Sequence, residues 1–571
     1  MRILFLTHSF NSLAQRLFSE LRARNHEISI EFDISDSVAE EAAALFRPDL
    51  IVAPYLRRAI PDSIWSKQVC LIVHPGVPGD RGPSALDWAI QNGEREWGVT
   101  VLQANAEMDA GDIWAHQSFP MRSAKKSSIY RNEVTEAATR AVLTAVDRYE
   151  SGGFAPMPLA RAAARGHLRP LMRQSDRRID WTNDLTATIT AKINAADGFP
   201  GVADQLFGLP CNLFDVHAEA QRPAGAPGDI VARRDGALLR LTRDGALWIG
   251  HVKRTDLAGA FKLPAAIAFV AQAAGLPERP APLMCDDDAR WSEIRYREDG
   301  AVGYLAFEFY NGAMSTDQCR RLRQAYAFAR ARPTRVIVLE GGSDFWSNGI
   351  HLNLIEAADS PADESWTNIN EIDDFARDVI ETDTQLTVAA LCGNAGAGGA
   401  FLALAADRLW ARAGVILNPH YKNMGNLYGS EYWTYLLPRR IGAERARRIM
   451  ANRLPLPAPQ ALREELIDAS IDVPPSVFLL EVAARAQALA DSADFAALLE
   501  AKRARRARDE ATKPLAAYRT EELEHLRRNF YGFDPSYHVA RYHFVAKSPS
   551  SWTPRHLALH RELGWRVPET A

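Results

Sequence analysis

Short apolar strands alternate with amphipathic helices in two separate stretches of this chain, and this double alternation limits the possible folds more than any other feature. The first stretch runs MRILFLTH, SLAQRLFSELRAR, EISIEFD, a helix from Ser37, DLIVAPY and VCLIVHP. The second resumes near Arg290 with IRYREDGAVGYLAFEF, the helix TDQCRRLRQAYAFARA and the strands RVIVLEG and LTVAAL. Such alternation predicts a parallel sheet with crossover helices, whose ligands sit at the carboxyl ends of the strands. Tyr55 and His74 fall at two of those ends. A single hydrophobic core stops growing near about 250–300 residues, so a chain of 571 residues needs several domains.

Between the two stretches the texture changes. From Gly166 the chain reads IDWTNDLTATITAKINA and then GDIVARRDGALLRLTRDGALWIGHVKR, short strands broken by glycine and aspartate turns. A small helix-plus-barrel domain is the expected result. The proline-rich LPERPAP, Leu276 to Pro282, reads as a linker. Arginine-rich amphipathic helices dominate from Glu431 onward. The expected organisation is an α/β multidomain protein with a first domain over 1–165, a barrel-like subdomain over 166–275, a linker over 276–289, and a second α/β body with a helical tail over 290–571.

Lysine plus arginine, 67, nearly balance aspartate plus glutamate, 71, for a net charge of -4. That offers no broad attraction for nucleic acid or an anionic membrane, and points to small-molecule substrates or proteins. Cys70, Cys211, Cys285, Cys319 and Cys392 are scattered without metal-ligand spacing, so no metal is expected and reduced thiols in the cytoplasm fit best. The opening apolar run is too short for a signal peptide. Leu386 to Ala406 carries no charge and is long enough to span a membrane, but four glycines interrupt it. A buried strand, a glycine turn and a buried helix explain it better.

The segment HPGVPGDRGPSALDWAIQNGEREWGVTVLQANAEMDAGDIW places His74 at a strand end and Asp109 on a later turn. A histidine acting as proton acceptor near neutral pH gains from a carboxylate that orients it and stabilises the imidazolium. The same segment, together with IDW at Ile179 to Trp181, GFPGV and PGDIVARRDGALLRL, resembles the 10-formyltetrahydrofolate transferase family over residues 1–275. The resemblance implies a Rossmann-like catalytic domain with a small barrel-like C-terminal subdomain, and 10-formyltetrahydrofolate as formyl donor. It assigns His74 and Asp109 to the site around the formyl carbon. The family's asparagine, two positions before the histidine, is Ile72 here, which removes an oxyanion donor worth ~10²–10³ in rate. The family's pterin loop maps onto Pro54, Tyr55 and Leu56; an aromatic there either lines the pocket or packs on the sheet.

In the second stretch, SDFWSNGIHL follows one strand and CGNAGAGGAFLALAADRLWA follows another. Glycines at such turns let backbone amides point at a ligand, and two turns can converge on one carbonyl oxygen. With FEFYNGAMS before them, they resemble the enoyl-CoA hydratase/isomerase (crotonase) superfamily over about residues 295–450 and a C-terminal tail. The resemblance implies a coenzyme A thioester held by the amides of Ile350, after Gly349, and Gly398, with Ser347 and Asn348 along the coenzyme A loop. The two glutamate positions of the hydratases read Phe401 and Tyr421, which argues against water addition by paired carboxylates. Tyr421 is either a catalytic phenol, donating to a departing group or accepting a proton if its pKa is lowered, or a packed aromatic. Arg541 and Lys547 in YHVARYHFVAK are either coenzyme A phosphate binders or a solvated face.

The fusion of the two resembles the hydrogenase-maturation factors. It implies formation of the carbon monoxide ligand of [NiFe]-hydrogenase by formyl transfer from 10-formyltetrahydrofolate to coenzyme A and decarbonylation of formyl-CoA, with the maturation machinery as partner. A formyl-CoA synthase/hydrolase releasing formate, and a folate- and coenzyme-A-binding scaffold, share the same motifs.

Overall fold

The computed structural model describes residues 1–162, 165–219, 221–284 and 290–561. Cys285 and the end of the expected linker, 285–289, lie outside the described residues. The chain divides into two compact units. One comprises Met1–Arg178, Ala191–Val202 and the segment from Pro549; the other comprises Ile179–Thr190 and Ala203–Ser548. This division cuts across the boundaries drawn from sequence, because the tail ends on the first unit and the barrel-like strands belong with the second.

In the first unit β1 (Arg2–Thr7), β2 (Glu27–Phe32), β3 (Leu50–Tyr55), β4 (Cys70–His74), β5 (Glu96–Gln103) and β6 (Ile113–Pro120) form one sheet in the order β2-β1-β3-β4-β5-β6. The first four strands run parallel, and β5 and β6 are antiparallel additions. Leu4, Leu6, Ile51, Ala53 and Cys70 pack against Ala39, Ala42 and Phe46 of the helix Asp36–Phe46. Ser35 caps that helix, accepting from the Val38 amide at 3.3 Å. Its start thus lies one residue before the expected Ser37.

In the second unit β7 (Val202–Leu206), β8 (Leu209–Glu219), β9 (Ile230–Arg234), β10 (Ala237–Leu241) and β11 (Ala246–Arg254) make an antiparallel sheet in the order β7-β8-β11-β10-β9, with β12 (Leu263–Pro264) beside β11. The α/β body follows. A large sheet orders β13 (Ile294–Asp299), β14 (Val302–Phe307), β15 (Val336–Gly341), β17 (Leu386–Leu391), β19 (Arg408–Arg412) and β22 (Ala469–Ile471). A smaller one orders β16 (Phe345–Ser347), β18 (Asn394–Gly396), β20 (Ile416–Asn418) and β21 (Leu456–Pro457). The chain repeatedly leaves the large sheet for the small one: β15 to β16, β17 to β18, β19 to β20. Each exit is a turn at the carboxyl end of a buried strand, where backbone amides become available. The charge-free stretch Leu386 to Ala406 resolves into β17, β18 and the helix Gly398–Leu404. Among the described residues no helix is long and apolar enough to cross a membrane. Cys70, Cys211, Cys319 and Cys392 are buried free thiols.

Alternation in EISIEFD gives no warning that the edge strand β2 buries a carboxylate. Glu31 is fully buried, and its partners come from the far end of the chain. His560 Nε2 lies 2.9 Å from Glu31 Oε2, Arg561 Nε donates to the same oxygen at 2.7 Å, and the Thr553 hydroxyl donates to Oε1. Burial pushes the Glu31 pKa up, but these hydrogen bonds outweigh it and hold the group below its ordinary value. The segment also covers the open sheet edge: the Ile30 amide donates to Leu557 O at 2.9 Å and the Phe32 amide to Thr553 Oγ1 at 2.8 Å. We therefore expect Arg561→Met to cost about 1–3 kcal/mol, read by denaturant unfolding. Truncation after Ser548 should deprotect the Ile30 and Phe32 amides in hydrogen exchange. Because the native pKa of Glu31 is depressed, its contribution is present above the unfolded carboxylate pKa and fades as pH falls through the native one.

Candidate active sites

In the first unit, β4 delivers His74 to its carboxyl end. The ring is held between two carboxylates, not one. Nε2 lies 3.1 Å from Asp80 Oδ1, and Nδ1 lies 3.5 Å from Asp109 Oδ2. Asp80 is fully buried and receives Arg169 Nε on its other oxygen at 2.8 Å. Asp109 takes a left-handed backbone, φ 52°, and accepts the Gly82 amide at 3.1 Å. With Nε2–H donated to Asp80, the lone pair on Nδ1 is the proton-accepting side of the ring. Asp109, beyond ordinary hydrogen-bond length, sits where it stabilises the imidazolium that forms. The orienting role expected of Asp109 therefore falls to Asp80. The only sign of it in the sequence was its place in GDRG, six residues after the histidine.

Ile72 points no donor at this site: it pairs with Ala53 and Leu102 and packs in the apolar core. Pro54 is buried in β3, while Tyr55 and Leu56 are half-buried. The Tyr55 ring stands edge-on to Tyr130 at 6.4 Å and to His8 at 5.9 Å. These three rings lie at the carboxyl ends of β1 and β3, where a parallel sheet of this kind receives its ligand. Tyr130 arrives there on a short π-helical turn, Tyr130–Val134, and was not foreseen.

In the second unit, the turn after β16 and the start of the helix Gly398–Leu404 meet backbone to backbone. Gly349, φ 77°, is so close to Gly398 that an added Cβ would stand 3.3 Å from its N and Cα. Gly398 opens the helix, so its amide has no acceptor within it. Ile350 is braced on both sides. Gly349 O accepts the Met314 amide at 2.9 Å, and the His351 amide donates to the buried Asn368 Oδ1 at 3.0 Å. His351 is neutral: burial drives its pKa down to about 3, and its Nδ1 caps the helix Leu352–Ala357. The two amides expected at a thioester oxygen are thus brought together.

What faces them is a glutamate that the sequence did not reveal. A Cβ on Gly398 would fall 1.9 Å from Glu431 Oε1, so only glycine lets that carboxyl lie over the helix start. Glu431 Oε2 is 2.5 Å from the Tyr421 hydroxyl, which also lies 2.9 Å from Ser430 O. Tyr421 stacks on Phe401 with centroids 5.1 Å apart. Burial, and then the Glu431 charge, raise the Tyr421 pKa well above its ordinary value, the opposite of what a phenolic base requires. Burial likewise pushes Glu431 up, reinforced by Asp373. A carboxyl group is therefore present beside Gly398, contributed from a turn ten residues beyond Tyr421.

The coenzyme A candidates are dispersed. Ser347 is fully buried, its hydroxyl accepting the Gly349 amide at 3.1 Å and contacting Met314 Sδ at 3.1 Å, so it shapes the turn. Asn348 Nδ2 donates to Asn311 O at 2.8 Å. Arg541 is buried, with its Nε on Glu356 at 2.7 Å and its guanidinium over the Tyr537 ring. It is no solvated face. Lys547 is exposed, with its ammonium 4.2 Å from the Phe544 ring centroid. Among the described residues no group of three His, Cys, Asp or Glu is arranged to hold a metal.

Known proteins divide along the same lines. Residues 11–146 match the formyl transferase family, 171–258 the formyl transferase C-terminal domain, and 309–554 the enoyl-CoA hydratase/isomerase family. Methionyl-tRNA formyltransferase from Roseiflexus sp. (strain RS-1) is 31% identical over 41% of this chain and 71% of its own length. The crystal structure of HypX from Aquifex aeolicus in complex with tetrahydrofolic acid is 48% identical and superposes with a TM-score of 0.95, covering 99% of this chain and 100% of that one. The hydrogenase maturation factor HoxX of Bradyrhizobium diazoefficiens is 57% identical over 98% of this chain and 97% of its own length. With two transferase segments and a crotonase-like segment joined as in those proteins, the chain belongs to the HoxX/HypX family of hydrogenase maturation factors.

Proposed function

We propose that the chain makes carbon monoxide for the [NiFe]-hydrogenase site, by moving a formyl group from 10-formyltetrahydrofolate to coenzyme A and then decarbonylating formyl-CoA. The observation that carries this reading is the Glu431 carboxyl lying over Gly398. A carboxylate there stands beside any acyl carbon whose oxygen is held by the Gly398 and Ile350 amides.

In the first step His74 takes the thiol proton as sulfur attacks the formyl carbon, and it returns that proton to N10 of the folate as the C–N bond breaks and tetrahydrofolate leaves. A thiol of pKa ~8.5 ionises far more readily near neutral pH than an alcohol, which eases the loss of the family's asparagine at Ile72. In the second step Glu431 accepts the formyl hydrogen as a proton. The C–H electron pair stays on carbon as the lone pair of carbon monoxide, the C–S pair leaves with sulfur, an oxygen lone pair completes the C–O triple bond, and the departing thiolate takes the proton back. Formyl-CoA thus yields carbon monoxide and coenzyme A with no oxidant, reductant or water. A group with a raised pKa is the stronger base once ionised. Tyr421 holds Glu431 in place through its hydroxyl. The tetrahydrofolic acid in the Aquifex aeolicus structure supports folate as the donor.

Incubation with labelled formyl-tetrahydrofolate and coenzyme A, with deoxyhaemoglobin as trap, should place the label in bound carbon monoxide; label recovered only in formate overturns the reading. His74→Ala, Asp109→Asn and Asp80→Asn should each slow tetrahydrofolate release by ~10²–10⁴ while conversion of added formyl-CoA is kept. Tyr421→Phe and Glu431→Gln should do the reverse: formyl-tetrahydrofolate is consumed, formyl-CoA accumulates, and carbon monoxide release falls ~10²–10⁴. Quantifying all three species in one reaction checks both sets.

A further inference from the structure

Glu431 has two buried acidic neighbours that the steps above do not use. Asp373, on the helix Pro361–Ile380, and Glu522, on the helix Leu515–Tyr531, are fully buried. Asp373 Oδ1 accepts the amide of Glu431 itself at 2.8 Å. Glu522 accepts the amides of Tyr432 at 3.0 Å and Thr434 at 2.8 Å. The Ser430 hydroxyl lies between the two carboxyls, 2.7 Å from Asp373 Oδ2 and 3.1 Å from Glu522 Oε2.

A hydroxyl has one hydrogen. It satisfies one of those oxygens, and the other contact sets lone pair against lone pair unless a carboxyl carries a proton. The phenol of Tyr421 faces the same count, with Ser430 O and Glu431 Oε2 both in reach. Cationic help is thin. Arg519 comes no nearer than 3.8 Å to Asp373 and donates to Asp374 at 2.6 Å. The Ser430 amide also donates to Glu431 Oε2 at 3.2 Å; the Cys319 thiol, on the helix Thr316–Arg330, lies within reach of the Glu431 charge, and the start of the helix Gly398–Leu404 lies against Oε1. Burial first, then mutual repulsion, lifts Glu431 and Glu522 above the usual carboxylate range, and burial lifts Asp373.

We propose that Asp373 and Glu522 are positioning residues for Glu431: with the Ser430 hydroxyl they retain a shared proton at neutral pH, and the network sets the proton affinity of the base. The inference rests on the reading of Glu431 as acceptor of the formyl proton. Since that role needs ionised Glu431, carbon monoxide release rises as pH climbs through its pKa. With one proton between them Asp373 and Glu522 carry one negative charge, and replacing both carboxyls by amides removes it, which lowers that pKa and moves the rising limb to lower pH.

The test has two arms on the full chain. Infrared difference spectra of the wild type should show a protonated-carboxyl C=O band at neutral pH that shifts in D2O and is lost or displaced in Glu522→Gln, Asp373→Asn and Ser430→Ala. The Ser430 variant removes only a hydroxyl and guards against misfolding of the other two. The pH profile of formyl-CoA conversion should move its acid limb down by about one unit in the double variant Asp373→Asn/Glu522→Gln, about tenfold at a fixed pH on that limb. No band in the wild type, a band untouched by all three variants, or an unmoved limb overturns the proposal. A band that responds as expected while formate is the only product supports the shared proton and overturns the reading of the reaction.

Discussion

A carboxyl group enters a protein interior only where something beside it supplies a proton or a positive charge, because an unpaired buried charge costs several kcal/mol. Three places in this chain turn on that constraint, and each meets it differently. Asp80 is clamped by Arg169 and spends its other oxygen orienting His74. Glu31 is paid for by His560, Thr553 and Arg561. Glu431, with Asp373 and Glu522 around it, has three carboxyls and one distant guanidinium. The first two are each paired with an arginine. The third has neutral donors close by, among them the Thr434 hydroxyl on Glu522 at 2.5 Å and the Ser430 amide on Glu431 at 3.2 Å, and it lies against the start of the helix Gly398–Leu404.

The contrast separates structure from chemistry. The arginine-paired carboxylates fix geometry; Glu31 does this for the edge of the first sheet and Asp80 for the ring of His74. The carboxyls without a close cation, lifted by burial and by one another, hold a proton near neutral pH and can exchange it. The backbone shows the same division. Glu431 and Tyr432 both adopt φ 58°, a conformation that disfavours bulky residues, and Asp373 and Glu522 hold it by accepting their amides.

Much of this was legible in the sequence. Strands buried on both faces read as unbroken apolar runs, so MRILFLTH, LIVAPY and VCLIVH fall where β1, β3 and β4 are found. The glycine turns marked where the turn after β16 meets the helix start at Gly398, and His74 stands at the end of β4 as its motif suggests. The parts that were hidden share a cause. Asp80, Glu31 and Glu431 act through partners remote in sequence or through irregular backbone, and neither leaves a periodic trace. Glu431 sits in GSEYW, where nothing distinguishes it from a surface residue. The expectation that Phe401 and Tyr421 stand at the hydratases' glutamate positions pointed away from a carboxylate, yet a nearby turn brings Glu431 against Gly398 and Tyr421.

The central claim is that the formyl C–H bond breaks in the second unit and that its hydrogen leaves as a proton. Formyl-CoA carrying deuterium on the formyl carbon tests this most directly. The account predicts a primary isotope effect on carbon monoxide release and deuterium washed into solvent. Formate that retains the deuterium, formed at a rate insensitive to the label, would contradict it.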